Sequence, residues 1–211
     1  MVDEPRRPTL TALHLGDAAD RWEALGFTVL DNTIELAGLR LVLGAAQPGI
    51  NRWSLAGIEP VDEVDGLATT VEPPRGATPT THANGATELD HVVITTPDFD
   101  RTAAALEAHG MPLRRIREVG DIASPNGFRQ GFRRLGPGIL ELVEAKQMPI
   151  GPAVFWGLVI VLRDLGWLAN ALEVGWVGEP RDAVQPGRQI ATLSRAAGLG
   201  QPVAFMTPES S

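Results

Sequence analysis

The stretch LDHVVITTPDFD, residues 89–100, decides the fold of this chain. Its centre, VVITT, is a run of β-branched residues that favours a half-buried strand. Pro97 ends the strand, and Asp98 is a typical helix N-cap. Apolar residues then recur with helical spacing as far as Gly110, which supplies a stop. The stretch therefore predicts a strand that runs directly into a short amphipathic helix.

The composition limits the class of protein. With 211 residues and a hydrophobic fraction of 44%, the chain is long enough to bury a core as a soluble globular protein. A formal net charge of -8 argues against nucleic acid or an anionic membrane as the main partner, because both bind basic surfaces. The chain has no cysteine, which excludes disulfides, zinc–thiolate sites, iron–sulfur clusters and thiol nucleophiles.

No stretch of the sequence predicts export or membrane insertion. Residues 1–8 contain acidic residues and prolines without an apolar core, unlike a signal peptide. Residues 153–162 are the most apolar stretch, but a membrane span takes roughly 20 residues. They predict a buried strand instead. We therefore expect a cytoplasmic protein.

The pattern of a strand followed by a helix recurs along the chain. Three further copies are predicted at residues 10–25, 53–71 and 155–172. Aspartates cap the first and third of these helices, at Asp17 and Asp164. The second copy is weaker and places its helix over residues 61–71, where Val64, Ala68 and Val71 are in helical phase.

Further strands complete each copy in the back half of the chain. Residues 128–135 and 138–144 resemble a hairpin turned at Gly-Pro-Gly, and three more strands are predicted at 175–177, 189–195 and 202–207. Each back unit thus reads strand, helix, strand, strand, strand. The predicted division is a reduced, degenerate pair of units at 1–80, a linker at 81–88, and a domain at 89–211 with paired units at 89–148 and 153–208.

Repeated units of this kind, opening on LDHVVI at residues 89–94, resemble the vicinal oxygen chelate superfamily. That superfamily includes glyoxalase I, extradiol dioxygenases, methylmalonyl-CoA epimerase and the fosfomycin and bleomycin resistance proteins. The resemblance covers residues 89–208, is most specific at 89–100 and 138–144, and is closest to glyoxalase-like domain proteins. It implies an α+β fold in which βαβββ units curl a mixed sheet into a half-barrel, with helices outside and a divalent metal on the cleft floor.

The resemblance implies that His91 and Glu141 are metal ligands at the active site. Strand alternation supports their placement, because His91 shares one face of its strand with Val93 and Thr95. Glu141 likewise lies between apolar neighbours, where a carboxylate is costly to bury without a partner. A metal or a protonated His91 would be such a partner.

The other two ligands that the resemblance implies are missing. Counting along the sister unit places Gly157 and Ala204 at the corresponding positions, and the front half offers only positions near Leu10, Arg40 and Ser54. A catalytic metal usually has about three protein ligands. Three alternatives remain: a divalent metal on an incomplete ligand set, a pair that only satisfies buried polarity, or metal-free acid–base work.

Weaker candidates for ligand binding are two pairs of polar residues. Arg129 and Arg133 share one phase of the strand beside Glu141, and one of its two faces would meet the cleft and hold a carboxylate or phosphate. Gln185 and Arg188 belong to a loop that would close one end of the cleft. The alternative readings are a solvated outer face for the arginines and a simple turn for the loop.

Aromatic residues and the other histidines are expected outside the site. Trp156 precedes Gly157 and should point away from the ligand position into the core. His14 is out of register with His91, His82 lies in the linker and His109 lies near a helix end. None of the three histidines is predicted to be a ligand.

The resemblance implies a protein that binds a small oxygenated metabolite in its cleft and acts as a lyase, isomerase or epimerase through His91 and Glu141. The alternative is a metal-free protein of the bleomycin-resistance type that binds or sequesters its ligand and changes no bond. A third hypothesis is an interaction module whose reduced front half covers the back sheet. The sequence leaves open whether the protein is an enzyme and whether it is a monomer or a homodimer.

Overall fold

The computed structural model describes residues 7–209. Residues 1–6, which belong to the stretch with no predicted signal peptide, lie outside the described residues, as do 210 and 211. The front half consists of β1 (Thr9–Leu15), α1 (Ala19–Ala24), β2 (Thr33–Leu36), β3 (Leu39–Val42), β4 (Ile50–Ala56), β5 (Glu63–Val64) and β6 (Leu67–Val71). The back half begins with β7 (Ala86–Thr96), α2 (Phe99–Ala108), β8 (Arg115–Val119), β9 (Phe128–Leu135) and β10 (Gly138–Glu144). It continues with β11 (Val154–Leu162), α3 (Gly166–Ala171), β12 (Arg181–Asp182), β13 (Gln189–Thr192), a 3-10 turn (Arg195–Ala197) and β14 (Val203–Met206).

The back half forms one eight-stranded sheet in the order β12-β13-β14-β11-β7-β10-β9-β8. Two units of the predicted type build it, β7–α2–β8–β9–β10 and β11–α3–β12–β13–β14. Their first strands, β7 and β11, pair antiparallel at the centre, and each pairs in parallel with the last strand of its own unit. The predicted α+β fold of repeated βαβββ units is therefore confirmed.

The sheet is curled, because its two edge strands line the same cavity. Arg117 of β8 and Arg181 of β12 belong to opposite ends of the strand order, yet both border one cleft. The predicted half-barrel thus has an open concave face. None of the helices within residues 7–209 has the length and apolarity to cross a membrane.

The helix that follows β7 forms as its sequence predicts. Asp98 caps α2, since its side chain accepts a hydrogen bond of 3.0 Å from the backbone N–H of Arg101. Phe99 and Leu106 are buried on the side of α2 that faces the sheet. The strand itself starts at Ala86, within the stretch predicted as a linker.

The front half forms a six-stranded sheet in the order β2-β3-β1-β4-β6-β5, and its predicted second helix is wrong. Residues 61–71 contain β5 and β6, an antiparallel hairpin that turns at Asp65 and Gly66. Both turn residues have positive φ, 48° and 85°, as a type I′ turn requires, and Asp-Gly is a preferred pair for that turn. The helical spacing of Val64 and Val71 coincided with this hairpin by chance.

One hydrophobic core joins the two sheets. Trp53 of β4 and Phe155 of β11 meet edge to face with ring centroids 5.6 Å apart. Asp17 does not cap α1 as predicted. Its buried carboxylate accepts hydrogen bonds from the Trp22 indole at 3.0 Å and from the Gln201 side chain at 2.7 Å, and so ties the front half to the end of the back half.

Candidate active site

A β-bulge in β7 turns two consecutive side chains into the cleft. His91 pairs with Val159 of β11, but the next pair is Leu89 with Ile160, so Asp90 is an extra residue in the ladder. In a regular strand Asp90 and His91 would face opposite sides. With the bulge, both line the same cavity.

Asp90 fixes the orientation of the His91 ring. Its Oδ2 lies 2.7 Å from His91 Nδ1, and its Oδ1 lies 2.6 Å from the guanidinium of Arg188. Burial raises the pKa of Asp90, but hydrogen bonds and charge from His91 and Arg188 outweigh that effect and hold the pKa below its ordinary value. An ionised Asp90 only accepts, so Nδ1 donates to it and Nε2 faces the cleft.

Glu141 of β10 meets that exposed ring nitrogen. Its Oε2 lies 3.2 Å from His91 Nε2, and its Oε1 accepts a hydrogen bond of 2.7 Å from the Gln130 amide. Gln130 in turn accepts a hydrogen bond of 2.6 Å from Arg117 Nε. A continuous chain of side chains, joined by hydrogen bonds and by ion-pair contacts, therefore crosses the floor of the cleft. It is called the polar chain below and runs in the order Arg188, Asp90, His91, Glu141, Gln130, Arg117.

The two carboxylates of the polar chain are shifted in opposite directions. Burial raises the pKa of Glu141, the nearby charges of His91 and Arg117 reduce the rise, and the negative charge of Asp90 adds to it. The raised pKa favours the protonated form of Glu141 beside His91 more than in a free carboxyl group. Carboxylates with opposed shifts beside one imidazole are suited to general acid–base work.

The cleft has two lobes that meet at His91 and Glu141. The first, called the apolar lobe, has a volume of about 350 Å³, and its walls include Val93, Phe128, Trp156, Leu158 and Ala204. The second, called the arginine lobe, has a volume of about 570 Å³, and its walls include Arg115, Arg117, Arg181, Asp182, Gln185 and Glu209. A bound molecule that fills both lobes would pass directly over the pair.

The side chains of the cleft do not fit a tightly bound catalytic metal. His91 and Glu141 are two suitable donors, but no group of three His, Cys, Asp or Glu residues within 7–209 has a metal-binding arrangement. At the two positions where the sister unit would supply ligands, Gly157 and Ala204 have no donor atom. At Gly157 an added Cβ would lie 2.6 Å from the Pro202 carbonyl oxygen, so the backbone fills that space.

Two of the predicted ligand-binding arginines face away from the cleft. Arg129 forms ion pairs with Glu144 at 3.0 Å and with Asp100 at 2.8 Å, and its guanidinium lies over the ring of Phe99. Arg133 shares this phase of β9 and pairs with Leu140, a core residue. The expectation that Arg129 and Arg133 line the cleft is therefore wrong. The opposite phase of β9, which includes Gln130, faces the cleft.

The two ligand-binding residues predicted in the loop before β13, Gln185 and Arg188, have different positions. Gln185 lines the arginine lobe. Arg188 lies behind the lobe wall, where its side chain is 5% exposed and bonded to Asp90 and to the Thr207 carbonyl oxygen at 2.7 Å. It therefore supports the site from behind and is not placed to touch a ligand.

Three residues of the polar chain were not found from the sequence. Asp90 requires the bulge, for which the sequence carries no clear signal. Gln130 could have been found, because it alternates with Phe128 and Phe132 on one face of β9, the strand that pairs with the one carrying Glu141. Arg117 follows from Gln130, with which it pairs across β8 and β9.

Trp156 contradicts its predicted place in the core. Its side chain is 52% exposed and lines the apolar lobe. A register shift between Phe155 and Gly157 gives the core position to Phe155 and turns Trp156 outward. Two of the three remaining histidines have other partners, since His14 Nε2 lies 3.0 Å from Ser54 Oγ and His82 Nε2 lies 2.9 Å from a backbone carbonyl oxygen.

Comparisons with known proteins concern the fold. No protein-family model matches the sequence, and no curated protein matches it. The structure is similar to that of a triple mutant of 4-hydroxymandelate synthase from Streptomyces coelicolor, with a TM-score of 0.63 and 13% identity over 99% of this chain and 94% of that chain. At this identity the likeness shows the fold alone.

Two epimerase structures match less of the chain. Methylmalonyl-CoA epimerase from Mycobacterium tuberculosis has a TM-score of 0.44 and 16% identity over 60% of this chain and 91% of that chain. Streptomyces coelicolor methylmalonyl-CoA epimerase in complex with 2-nitronate-propionyl-CoA has a TM-score of 0.44 and 19% identity over 59% of this chain and 99% of that chain. TM-scores this low carry no argument about this protein.

Proposed function

Because the chain has the vicinal oxygen chelate fold, we propose that it binds a small oxygenated metabolite and moves a proton on it without a metal ion, as an isomerase or epimerase. The observation that carries this proposal is the contact of His91 Nε2 with Glu141 Oε2 at 3.2 Å, at the junction of the two cleft lobes. The pair provides a base and an acid at one point in a cleft whose donor set does not suit a metal.

The proposed step needs only groups that the chain supplies. His91 Nε2 takes a proton from the carbon next to a carbonyl group, and the electron pair of that C–H bond moves into the new C=C bond. The carbonyl oxygen then carries the negative charge and receives the proton of Glu141. Reversal of these transfers returns a proton from His91 to carbon and restores both side chains. Inversion at the carbon results when the planar enol turns its other face to His91 before it receives the proton.

Asp90 and Arg188 have a positioning role in this scheme. An ionised Asp90 stabilises the imidazolium that forms when His91 accepts the proton, as in other carboxylate–imidazole pairs. Buried Arg188 keeps Asp90 ionised through the contact of 2.6 Å. Neither side chain touches the reacting carbon in this scheme.

Deuterium exchange tests the proposal. The protein is incubated in D₂O with 2-oxohexanoate, and proton NMR follows the loss of the signal from the C3 protons, which exchange through an enol. We expect exchange above the uncatalysed rate, with a loss of about 100-fold or more in His91→Gln and in Glu141→Gln. The controls, His109→Gln and Glu118→Gln, make the same two types of substitution at positions outside the cleft. Exchange that is absent, or unchanged in the cleft variants, contradicts the proposal.

A protein that only binds its ligand is the second candidate. The observation that favours it is the apolar lobe, in which Trp156 offers a large exposed ring to a ligand. Ligand binding that survives in both His91→Gln and Glu141→Gln, together with no exchange in the unmodified protein, would select this function.

A further inference from the structure

The arginine lobe contains three cations without carboxylate partners. Arg115 and Arg117 come from β8, and Arg181 comes from β12 at the opposite edge of the sheet. Within residues 7–209, none of the three is within ion-pair distance of an acidic side chain. Arg117 Nε donates to Gln130, which is neutral. The two edge strands of the sheet, β8 and β12, therefore both contribute positively charged side chains to one cavity.

The acidic residues of the lobe do not cancel this charge. Asp90 is already paired with Arg188, and Glu141 has its pKa raised by burial. Asp182 and Glu209 also line the lobe, but both are exposed, and two carboxylates offset only part of the charge of three arginines. The positive lobe belongs to a chain of formal net charge -8, so it is a local feature and does not follow from the composition.

The apolar lobe begins where the arginine lobe ends. His91, Gln130, Glu141, Arg181 and Ile190 border both lobes, and the remaining walls of the apolar lobe are formed largely by aliphatic side chains and by the exposed ring of Trp156. An exposed tryptophan in an apolar wall offers a flat surface for stacking. The cleft thus has one end for an apolar group and one end for an anion.

We propose that the ligand of this cleft is an amphipathic anion. Its apolar, preferably aromatic, part occupies the apolar lobe against Trp156, and its carboxylate or phosphate lies among Arg115, Arg117 and Arg181. The reacting carbon then lies between the two parts, over His91 and Glu141. Only this last placement rests on the proposed function, because binding of the two ends requires no reaction.

Calorimetric titration of the full chain with matched compounds tests the proposal. The probes are 2-naphthylacetate, its neutral amide 2-naphthylacetamide, acetate, and 2-naphthyl phosphate. We expect the acid to bind at least about tenfold more tightly than its amide, since charge-assisted contacts exceed neutral ones. Acetate, which lacks the ring, should bind more weakly than either. The stronger of the two naphthyl anions identifies the head group as carboxylate or phosphate.

Variants assign the two ends of the ligand. Arg115→Gln combined with Arg181→Gln should weaken binding of 2-naphthylacetate about fivefold for each arginine removed, and leave the amide unchanged. Arg114→Gln combined with Arg195→Gln removes the same charge from exposed positions outside the cleft and should leave both affinities unchanged. Trp156→Ala should weaken the acid and the amide to the same extent.

Three results would overturn the proposal: equal affinity for acid and amide, equal losses in the two double variants, or an unchanged affinity in Trp156→Ala. His91→Gln separates this proposal from the proposed function. Loss of deuterium exchange with intact 2-naphthylacetate binding supports both. Binding that follows the arginines without any exchange in the unmodified protein contradicts the proton transfer alone.

Discussion

Replacing Asp90 with asparagine should destabilise the fold, because it leaves the buried Arg188 without its counter-charge. In the native site Asp90 uses one oxygen for Arg188, at 2.6 Å, and the other for His91, at 2.7 Å. Asparagine keeps the size but has one acceptor oxygen and an amide NH₂ group. One of the two donors then faces another donor, and the guanidinium loses its counter-charge.

The burial of Arg188 sets the magnitude. Its side chain is 5% exposed, and its other contact is the Thr207 carbonyl oxygen, which is neutral. Removing one partner of a buried ion pair costs about 3 to 5 kcal/mol. Since a domain has a free energy of unfolding of about 5 to 15 kcal/mol, the variant should remain folded at 25 °C.

Urea unfolding followed by tryptophan fluorescence measures the loss at pH 7. The control is Asp182→Asn, the same change at an exposed residue of the arginine lobe, which should shift stability by no more than about 0.5 kcal/mol. The pKa of Asp90 is lowered in the native state, so its advantage is complete above the ordinary aspartate pKa of about 3.9. That advantage disappears as the pH falls through the lower native pKa. A decrease of less than about 1 kcal/mol in the free energy of unfolding of Asp90→Asn at pH 7 would refute a buried ion pair between Asp90 and Arg188.

Three further predictions concern other parts of the molecule. The pKa of Glu141 is raised, so the native state binds its proton more tightly than the unfolded chain does. Glu141→Gln should therefore gain stability relative to the unmodified protein as the pH rises from about 4.3 through the native pKa. Urea unfolding between pH 4 and 8 measures this difference in stability, and a difference that does not change with pH contradicts the shift. Ala204→His adds a third donor to the cleft wall beside His91 and Glu141. We expect this variant to retain zinc after dialysis and the unmodified protein to retain none. Equal retention would show that the existing donors suffice. Asp17→Ala leaves the Trp22 and Gln201 donors buried without their acceptor and should cost about 3 kcal/mol in urea unfolding, whereas a loss within error would mean that water replaces the carboxylate.

Much of the fold could be predicted because its signals are local. The β-branched run of β7, the Asp98 cap and the Gly136-Pro137-Gly138 turn each act within a few residues, and each of these elements forms where it was expected. The resemblance to the vicinal oxygen chelate superfamily followed from the repetition of such elements. The one solved structure with a TM-score above 0.5 reported above supports the fold alone.

The secondary structure of the front half was harder to predict, because a short segment can match both the helical and the strand periodicity. Residues 61–71 match helical spacing over their few apolar positions, yet they form a hairpin, and the Asp65-Gly66 pair was the better signal. A two-residue turn with positive φ at both positions excludes a helix.

The polar chain could be predicted only in part. Alternation along regular strands places His91 and Glu141 on one side of the sheet, and the structure brings them together. Asp90 enters the cleft because β7 contains an extra residue, and Trp156 enters it because of a register shift in β11. Bulges arise from pairing with a neighbouring strand, so the sequence of one strand does not reveal them.

The central claim is that His91 and Glu141 transfer a proton without a metal ion. The most direct test is the deuterium exchange of 2-oxohexanoate before and after exhaustive dialysis of the protein against a chelator, with the metal content measured in parallel. We predict the same exchange rate before and after dialysis and its loss in Glu141→Gln. Exchange that disappears on dialysis and returns when a divalent metal is added would contradict the claim.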